Sequence, residues 1–177
     1  MKVQLYSSTI RRKEMDAVLS CLVEEKTGPG EINLRLVQSV KEFFGVSGVV
    51  ALRSPALALK YALKAFQLEK DSKIMISALA PDWQYSAIED LGYTPLVLDV
   101  SPSNALVEVE TIKQGMINGG KVLLYHETSG LLPNMEEILE LGIPLIEDIS
   151  QSSLASIGEK KAGTFGVFSI LGLEERD

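Results

Sequence analysis

One cysteine, one histidine and one tryptophan are all that 177 residues supply of those three types. A lone cysteine, Cys21, excludes an internal disulfide and fits a reducing cytosol. A lone histidine, His126, excludes a multi-histidine metal site. The longest apolar runs, residues 48–52 and 122–125, are far too short to cross a bilayer. Lys2 is followed by polar Gln4, Ser7 and Ser8 in place of a signal-peptide apolar core. The expected location is therefore the cytoplasm, with no membrane partner. A net charge of −7 argues against a nucleic-acid partner, despite the local exception Arg11-Arg12-Lys13. No Gly-rich phosphate loop, zinc-ligand spacing or Ser-His-Asp ordering is present. The chain also lacks an internal repeat, a low-complexity tract or a dividing linker.

What is present is a single domain's worth of chain with an ordinary apolar share of 46%. Residues 9–25 place Met15, Val18, Leu19, Leu22 and Val23 on one helical stripe, with Thr9 as N-cap and Cys21 as a packing residue. Thr27-Gly28-Pro29-Gly30 breaks the chain. A second helix follows, with Ile32, Leu36, Val37, Val40 and Phe44 expected to face inward and Gly45 closing it. Residues 1–45 form this helical segment, and residues 46–177 carry the sheet and its crossover helices.

From Gly48 onward, strands alternate with helices. Strands are expected at 49–52, 73–77, 95–100, 122–125, 145–148 and 166–171. Between them, Ser54-Pro55 opens a helix to about Leu68, and Asp82 caps a short one through Ile88. Another helix spans 107–117. Asn134 and Glu137 form a capping-box-like pair for the next. Gly158-Glu159-Lys160-Lys161 reads as a hairpin turn. Such alternation implies an α/β fold: a mainly parallel, doubly wound sheet with helices on both faces.

The stretch Leu145-Ile146-Glu147-Asp148 is an apolar run that stops at two acids, as a buried parallel strand does at its carboxyl end. Ligands sit at that end of open α/β sheets, so Asp148 would point into a crevice, with Gln151 one turn further on. Arg53-Ser54, His126, Glu127, Thr128, Ser129 and Ser169 fall at or just past other strand ends. Together they suit a phosphorylated, heteroaromatic ligand. Each also has a plainer reading. Ser54-Pro55 is either an anion site, using the amides of Ala56 and Leu57, or simply a good helix start. Asp148 is either a ligand contact or a strand-end acid bonded to nearby amides. His126 is either a substrate contact or a satisfied packing residue, and Trp83 either a ligand contact or a packed aromatic.

At five segments the chain resembles the first half of the DegT-type sugar aminotransferases, a fold-type I family that uses pyridoxal phosphate. Thr27-Gly28-Pro29-Gly30 and its helix resemble the family's N-terminal segment. Residues 45–51 with Arg53-Ser54-Pro55-Ala56 sit where the family has a strand and Ser-Gly-Thr. Gly92-Tyr93-Thr94-Pro95-Leu96-Val97-Leu98-Asp99-Val100 is similar to "GATPVFVDV". Residues 130–138 resemble "GQPADMDAI", and Pro144-Leu145-Ile146-Glu147-Asp148-Ile149-Ser150-Gln151 resembles "PVIEDAAQ". Gly163-Thr164-Phe165-Gly166 then resembles "GSFG". The resemblance implies that Asp148 pairs with the pyridine nitrogen of the cofactor and that Gln151 lies beside the ring. It implies that the amides of Ala56 and Leu57, with Ser54 nearby, hold the phosphate. It makes Trp83, two positions off register, the nearest candidate for the stacking aromatic.

The departures are as informative. Ser-Gly-Thr has become Ser54-Pro55-Ala56, which removes an amide and a hydroxyl from the phosphate cup, and "QAHG" has become Gln151-Ser152-Ser153-Leu154. The family's Schiff-base lysine follows an "FSFxxxK"-like strand. Aligning Phe168-Ser169-Ile170 puts Glu174 at its place, an ungapped alignment through Phe165-Gly166 puts Asp177 there, and no lysine follows Lys161. The family's small C-terminal domain has no counterpart here. The resemblance thus implies an aminotransferase-like large domain, truncated or one half of a split protein, and incompetent in catalysis alone. Its expected partners are a second copy, a complementing C-terminal half and a small sugar. Two other classes stay open: a non-catalytic interaction or regulatory module of the same fold, and a Rossmann-like sugar-phosphate or nucleotide binder.

Overall fold

The structure, a computed structural model, describes residues 10–173. Lys2, Gln4, Ser7, Ser8 and Thr9, and the two lysine-alignment positions Glu174 and Asp177, lie outside the described residues. Backbone contacts separate two compact units, one closing at Ala51 and the other opening at Leu52.

The first unit holds α1 (Arg12–Val23) and α2 (Glu31–Phe44). Arg11 caps α1, and its amide donates to Glu14 Oε2 at 2.9 Å. Gly45 closes α2 in the left-handed region at φ 69°, where its missing Cβ removes the usual steric cost. Periodicity names the apolar face of each helix but not what covers it. Neither helix buries a single residue. Leu19 of α1 is 54% exposed; of the stripe expected to face inward in α2, Ile32 and Leu36 are exposed while Val37, Val40 and Phe44 are partly buried. The strand expected at 49–52 also fails to form. Val50 is 77% exposed, and a strand exists only where a neighbour completes its ladder.

The second unit begins with α3 (Pro55–Ala65) and then alternates: β1 (Lys73–Ser77), α4 (Asp82–Glu89), β2 (Thr94–Leu98), α5 (Val109–Ile117), β3 (Gly120–His126), α6 (Met135–Glu140) and β4 (Leu145–Asp148). A two-residue hairpin follows, β5 (Ser156–Ile157) with β6 (Lys160–Lys161), turning at Gly158 as the sequence implies. Last comes β7 (Phe168–Ile170). Five strands make one parallel sheet in the order β2-β1-β3-β4-β7.

Strand alternation sorts the core onto two faces. Ile74, Ile76, Val122, Leu124, Ile146 and Ile170 pack against Leu59 and Leu63 of α3 and Ala87 and Ile88 of α4. On the other face Met75, Leu123, Tyr125 and Leu145 pack against Ile112 of α5 and Met135 and Ile138 of α6. Each fully buried leucine or isoleucine contributes roughly 1.5–3 kcal/mol. The fold is thus the doubly wound α/β sheet that the alternation implies, with one strand fewer than expected.

Two local details differ from expectation. Asp82 is the first residue of α4, not its cap; Pro81 holds that place. Asn134 does precede α6, but its Nδ2 donates to Glu137 Oε1 at 2.6 Å, so the pair satisfies itself instead of the backbone.

Gly166 shows how tightly the carboxyl half closes. A Cβ there would meet Leu145 O at 2.6 Å, a backbone atom in the middle of the sheet. Gly166→Ala should destabilise the protein by roughly 1–3 kcal/mol in a thermal melt, whereas Gly48→Ala, with nothing within 4 Å, should be nearly silent.

Candidate cofactor site

Two strands and two helices bring polar groups to the carboxyl end of the sheet, all within the second unit. β3 and β4 pair with His126 opposite Asp148, so parallel register alone places those side chains side by side on one face. That face is covered by α3 and α4. At its far end, Phe66 just beyond α3 stacks edge-on against Phe168 at the start of β7, with ring centroids 5.5 Å apart. The start of α3, with Ser54, therefore lies toward the strands' carboxyl ends.

Asp148 is completely buried. Its Oδ2 is 2.8 Å from His126 Nδ1 and accepts from Gln84 Nε2 at 2.5 Å. Its Oδ1 accepts from the Ser150 hydroxyl at 2.6 Å and the Ser150 amide at 3.2 Å. Such a carboxylate is stable away from water only because its lone pairs are satisfied. The His126 ring is 3% exposed. Its Nδ1 is committed to Asp148.

Gln84 is the residue the sequence reading missed. It is fully buried in the first turn of α4, and its Oε1 has no partner. The signal was available: Gln84, Ala87, Ile88 and Leu91 share a helical stripe, so a polar side chain stood on an apolar face. Trp83, its neighbour, packs against the same core cluster with its Nε1 buried and unpartnered.

Three other expected residues lie as follows. Gln151 does not reach toward Asp148 by any bond; its Oε1 accepts from the Ser129 amide at 2.9 Å, tying the loops after β3 and β4 together. Ser129 itself sits in the left-handed region at φ 56°. Ser169 pairs in register with Glu147 and so faces the opposite side of the sheet from Asp148, because one residue's shift along a strand changes the face. At α3, Ser54 Oγ accepts from the Leu57 amide at 3.3 Å. That amide is thereby engaged in capping, and with Pro55 lacking its own, Ala56 is left as the open donor of the first turn.

Behind the sheet lies a second acidic pair. Glu147 accepts from the amides of Gly163 at 2.8 Å, Phe165 at 2.7 Å and Gly166 at 2.6 Å, which folds the 163–166 segment onto the strand. Glu127 is fully buried and accepts from the Ser152 hydroxyl. Burial pushes its carboxyl up to about 8, with Glu147 and Asp148 adding to the shift and Ser152 opposing it. No group of three or more His, Cys, Asp or Glu suited to a metal occurs among the described residues. No helix there is long and apolar enough to cross a membrane.

The model of the DegT/DnrJ/EryC1/StrS aminotransferase family matches residues 8–172. The chain belongs to this family. It is similar to the GDP-4-keto-6-deoxy-D-mannose 3-dehydratase of Escherichia coli O55:H7, 25% identical over 173 residues, covering 92% of this chain and 45% of that protein. The E. coli dehydratase solved with bound hydrated pyridoxal phosphate superposes with a TM-score of 0.83 at 26% identity, over 92% of this chain and 44% of that one. The Helicobacter pylori aminotransferase PseC, involved in the biosynthesis of pseudoaminic acid, superposes with a TM-score of 0.88 at 17% identity, over 97% of this chain and 48% of that one. The chain thus spans about half the length of these relatives. Family members use pyridoxal phosphate.

Glu127 makes the site's stability sensitive to pH. Its folded value, about 8, lies above the ordinary glutamate value of about 4.5. Its contribution is therefore complete below about 4.5 and is lost as pH rises through about 8, on the order of a few kcal/mol. Denaturant melts across that window should show wild type losing stability relative to Glu127→Gln. A difference between the two that stays constant with pH would contradict this assignment.

Proposed function

We propose that this family member carries the cofactor-binding region of a pyridoxal-phosphate-dependent protein that modifies keto-sugars, with amino-group transfer as its reaction. The observation that carries the reading is Asp148, a fully buried carboxylate at the carboxyl end of a central strand. In that position it would pair with the ring nitrogen and keep it protonated. His126 and Ser150 hold the carboxylate in place. The start of α3 offers the phosphate the Ala56 amide and the Ser54 side chain, a thinner cup than the family's Ser-Gly-Thr. Trp83 would flank the ring, while Gln151 holds the loop beyond it. Bound there, pyridoxal phosphate supplies an electron sink, and the protein's part is to bind, orient and keep the nitrogen protonated. A relative named as a GDP-4-keto-6-deoxy-D-mannose 3-dehydratase supports the substrate class.

At the positions that align with the family's Schiff-base lysine, the base that moves the proton in amino transfer, this chain carries Glu174 and Asp177. We read it as binding cofactor without turnover until a complementing polypeptide supplies that group. A second copy is the other expected partner. The uncovered stripes of α1 and α2, with Met15, Leu19, Leu22 and Ile32 all more than half exposed, support association through the N-terminal helices.

Titration with pyridoxal phosphate, followed by its absorbance, should show saturable binding that weakens at least about tenfold in Asp148→Asn, one charge-assisted hydrogen bond's worth. Borohydride treatment followed by mass spectrometry should leave no stoichiometric pyridoxyl adduct, and a stoichiometric adduct overturns the claim that the chain lacks its lysine. Sedimentation should reveal a dimer; a strict monomer at tens of micromolar would remove the case for self-association.

A further inference from the structure

We infer that Gln84 is a displaceable plug on the Asp148 carboxylate, occupying the place that the ring nitrogen of the bound cofactor takes. This rests on the pyridoxal phosphate reading above. A carboxylate offers about four lone-pair positions, and four protein donors fill them here: Gln84 Nε2 and His126 Nδ1 on Oδ2, the Ser150 amide and hydroxyl on Oδ1. A protonated ring nitrogen would be a fifth donor, so one of the four has to leave.

Three of them are anchored. The Ser150 amide belongs to the backbone turn that follows β4, and the Ser150 hydroxyl also accepts from the Gly172 amide at 2.9 Å. His126 stands in the β3 ladder directly opposite Asp148, with its ring almost fully buried. Gln84 differs on each count. It reaches Asp148 from 64 residues away in sequence, through a long rotatable side chain on the first turn of α4. Its Oε1 is buried with no partner, so the amide is only half satisfied where it stands. Of the four donors it loses least by turning away. Were Gln84 instead a support that readies Asp148 for the cofactor, removing its amide would weaken binding. A plug predicts the opposite sign.

The test titrates pyridoxal phosphate into the 177-residue chain, read by quenching of Trp83, the only tryptophan and the next residue to Gln84. Gln84→Met keeps the side-chain length without the donor, and Gln84→Ala is the second variant; circular dichroism establishes that each is folded. Both variants should bind pyridoxal phosphate about tenfold tighter than wild type, with faster association in stopped flow. The analogue with carbon in place of the ring nitrogen should gain nothing. Equal or weaker pyridoxal phosphate binding by the folded variants overturns the plug, as does an equal gain by the carbon analogue. Absence of binding by wild type and both variants overturns the cofactor reading itself, and the plug with it.

Discussion

A carboxylate with no exposure to water has to be surrounded by donors, and meeting that need at Asp148 organises the carboxyl end of this sheet. β3 supplies His126 through strand register, the turn after β4 supplies Ser150, and α4 supplies Gln84. Each donor fixes a different element. The loop after β7 joins the same set, because the Gly172 amide ends on Ser150 Oγ. One acid thus ties together two strands, a helix and two loops, where a leucine at the same position would leave four donors without acceptors.

Its neighbour Glu147 does comparable work on the opposite face. Adjacent residues of a strand point in opposite directions, so the Glu-Asp pair splits its duties across the sheet. Glu147 gathers three backbone amides of the 163–166 segment, and Glu127 with Ser152 sits beside it. The cost is a cluster of acids with too little water around it. Glu127 absorbs that cost by holding its proton well above the ordinary carboxylate range.

Alternation of apolar runs and helical stripes made the sheet legible, because each βα unit carries its own local period. Ser54-Pro55 marked the start of α3 and Leu145-Ile146-Glu147-Asp148 marked β4, both correctly. What failed needed knowledge of neighbours. Residues 49–52 have the composition of a strand but no ladder to join, and the stripe of α2 has the right period but only partial cover. Among site residues, Asp148 was legible from an apolar run ending in acids. Gln84 was not, since its meaning comes from a partner far along the chain. Ser169 lies at a strand end as expected, and its register with Glu147, which periodicity does not give, turns it to the face opposite Asp148.

The two margins of the sheet are not alike. On β2 the Thr94 amide bonds inward to Ser72, so the ring of Pro95, next along, stands where an amide would otherwise face outward. That margin is short of a donor and resists a further strand. β7, on the far side, carries no proline, and its first residue, Phe168, is exposed. The two rims thus differ in chemistry: Pro95 withdraws a donor from one, while every residue of β7 on the other keeps its amide.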